Sequence, residues 1–397
     1  MPNACQTDCF KINFFFWKIF GIWPGRAFSK YYRYFSVLYL FITLIIYNGI
    51  LTVNLFHTPS KIDVLIREVL FYFNEIAISA KVVTVLYYRH TILEVLDILD
   101  CTEFVENNED AKLIILKDVK KYKNGWKIYA FFLNFSFFSE VFVPYTHIIW
   151  NTNLHLPISN YHFLSDEIRE RYFTFWFVYQ ASCMYGHMMY NVNMDSFVAG
   201  LIFFVITSVR TLKCDLMNIN LNSPKQDSEL ESNRYFKLLK LKNCLKHYEL
   251  ILKLTSKVQR TISLPTFVQF GITGAIICVT LCGLLTPSAS DIHLFLVTYL
   301  IEMTSRIFVP AWLTILTRES QSLVLDAYNT EWIKETNIFK RNIIIFMTRA
   351  NISITLTAMK IFPMALQTFI SILKTAYSLF TLVRYVQNRQ ENIKLIN

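Results

Sequence analysis

The sequence predicts an all-α membrane protein with seven transmembrane helices, its N-terminus cytoplasmic and its C-terminus extracellular. Three observations predict it. Hydrophobic residues make up 54% of the 397, Phe alone numbers 35, and only 17% are charged. That is more apolar surface than a water-soluble chain of this length buries. Apolar stretches of about 20 residues recur, the length that crosses a hydrocarbon core at about 1.5 Å per residue. Lys and Arg gather in alternate connecting segments, the pattern that marks the cytoplasmic side of a membrane chain.

Taken in order, residues 1–33 carry Lys11, Lys18, Arg26, Lys30 and Arg33 around Phe14, Phe15, Phe16 and Trp17, followed by Gly21, Ile22, Trp23 and Pro24. With no continuous apolar core or small-residue cleavage site, this reads as a short cytoplasmic interfacial helix with aromatic anchors rather than a signal peptide. Spans follow at 34–56, 67–88, 126–150, 172–209, 261–285, 292–316 and 354–386. Residues 210–260 keep a helical pattern of leucines among lysines, so spans four and five are expected to project past the bilayer. One amphipathic helix is expected from Ser322 onward, polar at first and apolar after Ile352, entering the membrane as the last span.

Orientation follows from the basic residues. With the N-terminus inside, 27 Lys and Arg fall in the cytoplasmic segments and 7 in the extracellular ones. The net charge of +10 is thereby a topology signal, not a nucleic-acid footprint. The eight cysteines lie in spans or in segments assigned inside the cell, so no disulfide framework is expected. Cys5 with Cys9, and Cys278 with Cys282, lack His partners at zinc spacing, so no metal is expected.

Glu75, Lys81, Glu140, Asp195, Glu302, Arg306, Lys360 and Lys374 fall within spans, where a charge has to face protein, water or an interface. Glu302 and Arg306 are four apart and can pair along one helix face. Asp195, in a polar patch with Asn191 and Asn193, suits a contact between helices. Catalytic motifs such as His-Glu-x-x-His, Gly-x-Ser-x-Gly or a P-loop are absent from the sequence, so no enzyme and no cofactor is expected.

The spans offer aromatic and sulfur-bearing surface instead. Tyr72, Phe73 and Ile76 lie in the second span and Phe138, Phe142 and Tyr145 in the third. The fourth adds Phe177, Gln180, Met184 and Met188, and the sixth Tyr299 and Met303. A lining of this kind binds a small apolar ligand by shape and dispersion, with a hydroxyl or amide to orient it; each of these residues also suits ordinary packing. In the last span Thr375, Ser378, Leu382 and Tyr385 recur at helical spacing, a small or polar stripe that fits either a pore wall or a helix packed through its small residues.

The C-terminal segments Ala327-Tyr-Asn-Thr-Glu-Trp332, Phe346-Met-Thr-Arg349, Lys360-Ile-Phe362 and Ile372-Leu-Lys-Thr-Ala-Tyr377-Ser-Leu-Phe-Thr-Leu382 resemble the signature of the insect odorant receptors. Gly21-Ile-Trp-Pro24 resembles their opening motif. The chain differs from the family pattern at Asn351, Ser353, Met359 and Leu379. The resemblance covers the whole chain and suggests a ligand-specific subunit rather than the co-receptor.

The resemblance implies an olfactory receptor for small, volatile, largely apolar odorants. Such a receptor is a ligand-gated, non-selective cation channel subunit, assembled with the odorant receptor co-receptor as a tetramer in the plasma membrane of olfactory neuron dendrites. Its partners would be that co-receptor, the odorant and membrane lipid. Residues 1–397 then form one membrane domain, with the ligand pocket within 34–316, a subunit anchor at 317–353 containing Tyr328 and Trp332, and the pore-lining helix with an extracellular end at 354–397. Leu382 aligns with the hydrophobic gate, and Val383, Tyr385 and Val386 are its neighbours. The related gustatory receptors share this topology but end in a Thr-Tyr-hydrophobic-hydrophobic-x-Gln-Phe type motif that Phe380-Thr-Leu-Val-Arg-Tyr385 does not match. A metabotropic seven-helix receptor has the opposite orientation.

Overall fold

The computed structural model describes residues 6–24, 30–59, 61–100, 109–149, 156–221, 230–285, 290–312 and 315–396. A 3-10 turn, Gln6–Phe10, leads into α1 (Lys11–Ile19). Next come α2 (Lys30–Leu40), a π-helical segment Phe41–Ile46 and α3 (Tyr47–His57), which together cover the first span. α4 is Ile62–Tyr87, α5 Arg89–Leu99 and α6 Glu109–Ile149; after a loop come α7 (Asp166–Arg171), α8 (Phe173–Leu221) and α9 (Leu230–Gly283). α10 is Ser290–Trp312, α11 Ile315–Tyr328, α12 Asn337–Ala350 and α13 Leu366–Ile396, with strands β1 (Thr357–Ala358) and β2 (Phe362–Pro363) before the last helix.

Among the described residues five helices are long and apolar enough to cross a membrane: Lys30–His57, Val64–Tyr87, Phe173–Ile219, Asn233–Gly283 and Leu366–Val386. α6 and α10 cover the other two expected spans but fall outside this set. α8 and α9, of 49 and 54 residues, reach roughly 75 and 80 Å at the usual helical rise, well beyond a hydrocarbon core of about 30 Å. Their extension past the bilayer is the projection expected from residues 210–260. α9 packs against α4, α5, α8, α10, α12, α13 and β1, which makes it the spine of the bundle.

Two expectations change. The N-terminal aromatic cluster also packs inward: Phe10 and Trp17 are fully buried and Trp23 nearly so, within the main core cluster, while Phe15 is exposed. Asn13 fixes this packing by donating to the Asn193 carbonyl at 3.0 Å and Ser196 Oγ at 2.8 Å, while accepting from Tyr122 at 3.0 Å. Gly200 permits the close approach, since a Cβ there would come within 2.6 Å of the Phe10 and Tyr122 rings. Of the cysteines, Cys9, Cys183 and Cys244 are buried, whereas Cys5 and Cys101 lie outside the described residues.

The second change concerns the last span. The single helix expected from Ser322 is three helices and a hairpin. Glu331 takes a left-handed φ of 47°, Thr336 caps α12 by accepting from the Phe339 amide, and the hairpin turn holds Met359 and Lys360 at φ 51° and 60°. Pro363, with no amide hydrogen, ends β2 where it would interrupt a helix. Lys360 therefore sits exposed in a turn rather than on a helix entering the bilayer.

Candidate functional site

The polar side chains inside the bundle define the site. Along α4 the positions Phe71, Asn74, Glu75 and Ile78 share one helical face and meet Leu133, Ser136, Phe137 and Glu140 of α6. Met184, His187, Met188 and Asn191 of α8 and Tyr299, Glu302 and Arg306 of α10 complete the wall, with Ile158 from the loop before α7. They enclose a cavity of about 50 Å³, room for a water molecule or two. Glu75 pairs with His187, Glu302 pairs with Arg306, and Arg306 also donates to Asn74 Oδ1 at 2.8 Å. Polar groups taken out of water hold only when each is met, and here the Glu75–His187 contact joins α4 to α8 while Arg306 joins α10 to α4.

One turn further along, toward the basic end of the bundle, Lys81 forms an ion pair of 2.5 Å with Asp195 and donates to Asn191 Oδ1 at 3.1 Å. Tyr129 donates to the other Asp195 oxygen at 3.1 Å. Asp195 thus ties α4, α6 and α8 together. A larger cavity of about 380 Å³ adjoins this cluster, bounded by α4, α6, α8, α9 and α10.

At the opposite end the loop before α7 is fastened down as a cover. Gln180 accepts from the Ile158 amide at 2.8 Å and donates to the Ser159 carbonyl at 3.0 Å. Ser159 donates to Glu68 at 2.9 Å, Asn54 donates to Glu68 at 2.8 Å, and Arg67 donates to the Pro157 carbonyl at 2.6 Å. Such a buried network holds the loop in one position.

The residues selected from the sequence divide into groups. Met184, Met188 and Tyr299 line the small cavity. Tyr72 and Phe177 pack in the same apolar cluster as Met184 and Ile158, beneath the covering loop. Phe73 and Met303 belong instead to the cluster that joins α4, α9, α10 and α13. Gln180 holds the loop. Ile76, Phe138 and Phe142 are exposed, the last two at 61% and 62%, on outer faces of their helices. The side chain of Tyr145 lies outside the described residues. The structure thus replaces Tyr72, Phe138 and Phe142 at the cavity by their neighbours Phe71 and Phe137, and adds Asn74, Glu75, Glu140, His187 and Arg306, which aromatic content alone did not single out. Charge inside an apolar span marked Glu75, Glu140 and Arg306 in the sequence, whereas Asn74 and His187 carried no such mark.

In α13 one face packs and the other is bare. Ala376 is buried, with Ile372 and Leu373 beside it, in a cluster that also holds Tyr299, Met303 and Ile307 of α10. Thr375, Ser378, Leu382, Val383, Tyr385 and Val386 are all exposed, Leu382 at 58%. At the basic end Arg210 and Lys213 of α8 each reach Glu319 of α11 at 3.2 Å, and Lys237 of α9 reaches Glu335 at 2.8 Å. Burial pushes the Glu319 carboxyl up, but the hydrogen bonds and charges of Lys213 and Arg210 outweigh it and hold the group below its ordinary value. Trp332 packs against the main core, whereas Tyr328 is exposed, its ring 6.4 Å from that of Trp332.

Long helices around an internal cavity, with a final helix bare along one face, define a multi-helix membrane-protein fold. Comparison with known proteins agrees. The chain superposes on the insect olfactory receptor OR5 from Machilis hrabei with a TM-score of 0.82 at 17% identity, over 96% of this chain and 99% of that one. The structure of the same receptor in complex with eugenol gives 0.80 at 16%, over 97% and 100%. The chain is 20% identical to Odorant receptor 46a, isoform A, of Drosophila melanogaster, over 94% of this chain and 96% of that one. It is 25% identical to Odorant receptor 10 of Aedes albopictus over a segment that spans about half of that relative, 52% of each chain. The family profile described as 7tm Odorant receptor matches residues 61–377, and the chain belongs to that family. It is a receptor family, not a family of enzymes.

Proposed function

We propose that the chain is the ligand-specific subunit of an odorant-gated, non-selective cation channel, assembled with the odorant receptor co-receptor in the plasma membrane of olfactory neuron dendrites. The N-terminus lies in the cytoplasm and the C-terminus outside, as the 27 to 7 division of basic residues argues. The odorant binds in the cavity among α4, α6, α8 and α10, against Met184, Met188 and Tyr299. α13 lines the pore with Thr375 and Ser378, and Leu382, flanked by Val383, Tyr385 and Val386, closes it. Tyr328 and Trp332 belong to the cytoplasmic anchor between subunits.

The observation that carries this reading is a shared cluster. Tyr299, which lines the cavity, and Ala376, on the packed face of α13, belong to one buried apolar group. Close-packed groups transmit displacement because they deform little. The cavity at about 50 Å³ is too small for a volatile of ten or so heavy atoms, so binding requires the walls to part. Met184 and Met188 are flexible enough to make room, and outward motion of α10 moves the cluster on which α13 rests. Opening draws the apolar ring at Leu382 away from the axis, which lets water enter a constriction that was dry. An odorant drives this only through its higher affinity for the open arrangement.

Recording from cells that express the chain with the co-receptor, against a panel of volatiles of differing shape, tests the reading. Odorant-evoked cation current that persists without G-protein signalling supports it. Current that disappears when G-protein signalling is blocked sinks it.

A further inference from the structure

We propose that the larger cavity, about 380 Å³ between α4, α6, α8, α9 and α10, is a second binding site, for an uncharged molecule with an apolar body and one hydroxyl group. Its volume falls within the range of small-molecule pockets. Of the residues lining the smaller cavity only Arg306 also lines this one, and Met184, Met188 and Tyr299, assigned above to the odorant, do not, so the site is separate from the proposed odorant contacts.

The chemistry of the wall selects the ligand. Val85, Trp126, Phe203, Pro265 and Phe270 make most of it apolar. The charges that border it are already met: Lys81 by Asp195 and Asn191, Asp195 also by Tyr129, the two terminal nitrogens of Arg306 by Glu302 and Asn74, and Lys121, on the exposed rim, by Asp118 at 3.6 Å. An ionic ligand would find no free countercharge, and burying it unpaired is costly. Three buried polar atoms in this wall nevertheless have no hydrogen-bond partner: Gln269 Oε1, Arg306 Nε and Trp126 Nε1. Gln269 and Arg306 are only 7% and 6% exposed, and an unsatisfied buried polar atom calls for a partner. One is an acceptor and two are donors. A hydroxyl both donates and accepts, so a single group answers Gln269 and one of the two donors, while its hydrocarbon body takes the apolar wall. Such a molecule comes either from the membrane, as a sterol or diglyceride, or from outside, as a free long-chain alcohol.

The test is photo-crosslinking of the purified full-length receptor in lipid nanodiscs, together with its partner subunits, followed by peptide mapping. It needs no ion current, so its outcome is independent of the channel reading. Three photoreactive probes are compared: a sterol, a decanol, and the decanol's methyl ether. Labelling of peptides spanning 194–203 and 261–270 by a hydroxyl probe, at least about fivefold above the ether, is the expected result. Labelling by the sterol assigns the lipid source, and labelling by decanol in sterol-free discs assigns the free alcohol; either supports the site. Gln269→Leu, close in shape, should cut that labelling about fivefold with the melting temperature of the complex unchanged. Equal labelling by ether and alcohol in the wild type, which depends on no variant folding, overturns the proposal. Labelling confined to outer positions such as Phe131 and Phe135 overturns it too.

Discussion

Gln259 of α9 holds Thr357 of β1 by both ends of its amide: Oε1 accepts from the Thr357 amide at 2.8 Å, and Nε2 donates to the Thr357 carbonyl. The Met359 amide adds a bond of 2.7 Å to Ser263 Oγ, one helical turn further along α9. The hairpin that delivers the chain into α13 is therefore tied to the spine of the bundle, and the start of the last helix has a fixed pivot. Replacing Gln259 by Leu removes two hydrogen bonds, about 1 kcal/mol each. Hydrogen exchange at Thr357 and Met359 should speed up at least tenfold, with α9 itself unaffected. Unchanged protection would show that the hairpin holds without this clamp.

Tyr299 donates to the Leu70 carbonyl at 3.2 Å from a buried position between the cavity and the α13 cluster. Tyr299→Phe keeps the ring and loses that bond, at a cost of about 1 kcal/mol. Under the proposed mechanism it shifts the concentration for half-maximal odorant response roughly fivefold while surface expression holds. Tyr299→Ala removes the packing as well and costs roughly 3 to 5 kcal/mol, so surface biotinylation should fall.

Met184 is buried and Met188 half-buried at the cavity wall. Met188→Ala enlarges the cavity where its lining is flexible. Dose-response curves over a homologous series of ligands should move toward longer members by one or two carbons. An unshifted preference would take Met188 out of the binding wall.

Leu382 stands bare on α13. If it forms the apolar constriction, Leu382→Ala raises current in the absence of odorant several-fold, and a polar substitution raises it further. Unchanged resting current and ion permeability in both variants would move the gate elsewhere along the helix.

Glu319 gives a pH test at the basic end. Its folded pKa lies below the ordinary 4.5, so its contribution to stability is full above about pH 4.5 and is lost as pH falls through the folded value. Solvent screening limits that contribution to about 1 kcal/mol. The melting temperature of Glu319→Gln should lie below wild type at pH 6 and converge with it by pH 3. Burial pushes Asp326 the other way: its contribution is present at low pH and lost as pH rises. Asp326→Asn should change the acid slope in the opposite sense. Parallel curves for all three proteins would contradict both assignments.

Much of the architecture was legible because length and hydropathy act locally. A run such as Phe173 to Val209 has few alternatives to a long helix, and the leucines of residues 210–260 carried the extension. The break of the last span also had local signals, Thr336 as a cap and Pro363 as a stop, but the apolar run after Ile352 outweighed them. The cavity was less accessible. Choosing Phe138 over Phe137 turns a helix by about 100°, and only contact with a neighbouring helix says which face is inside. The pairings of Lys81 with Asp195 and Glu75 with His187 join residues more than a hundred positions apart, where no spacing rule applies. The charges themselves were visible; their partners were set by packing.

The central claim is that this chain both binds an odorant and lines a pore. Current recorded from excised membrane patches that contain the chain and its co-receptor tests it most directly, because cytoplasmic messengers are washed away. The account predicts that an active volatile opens a cation current in such patches within milliseconds, and that Leu382→Ala alters it. A response seen in whole cells that vanishes on excision, or an excised-patch current indifferent to every substitution in α13, would contradict it.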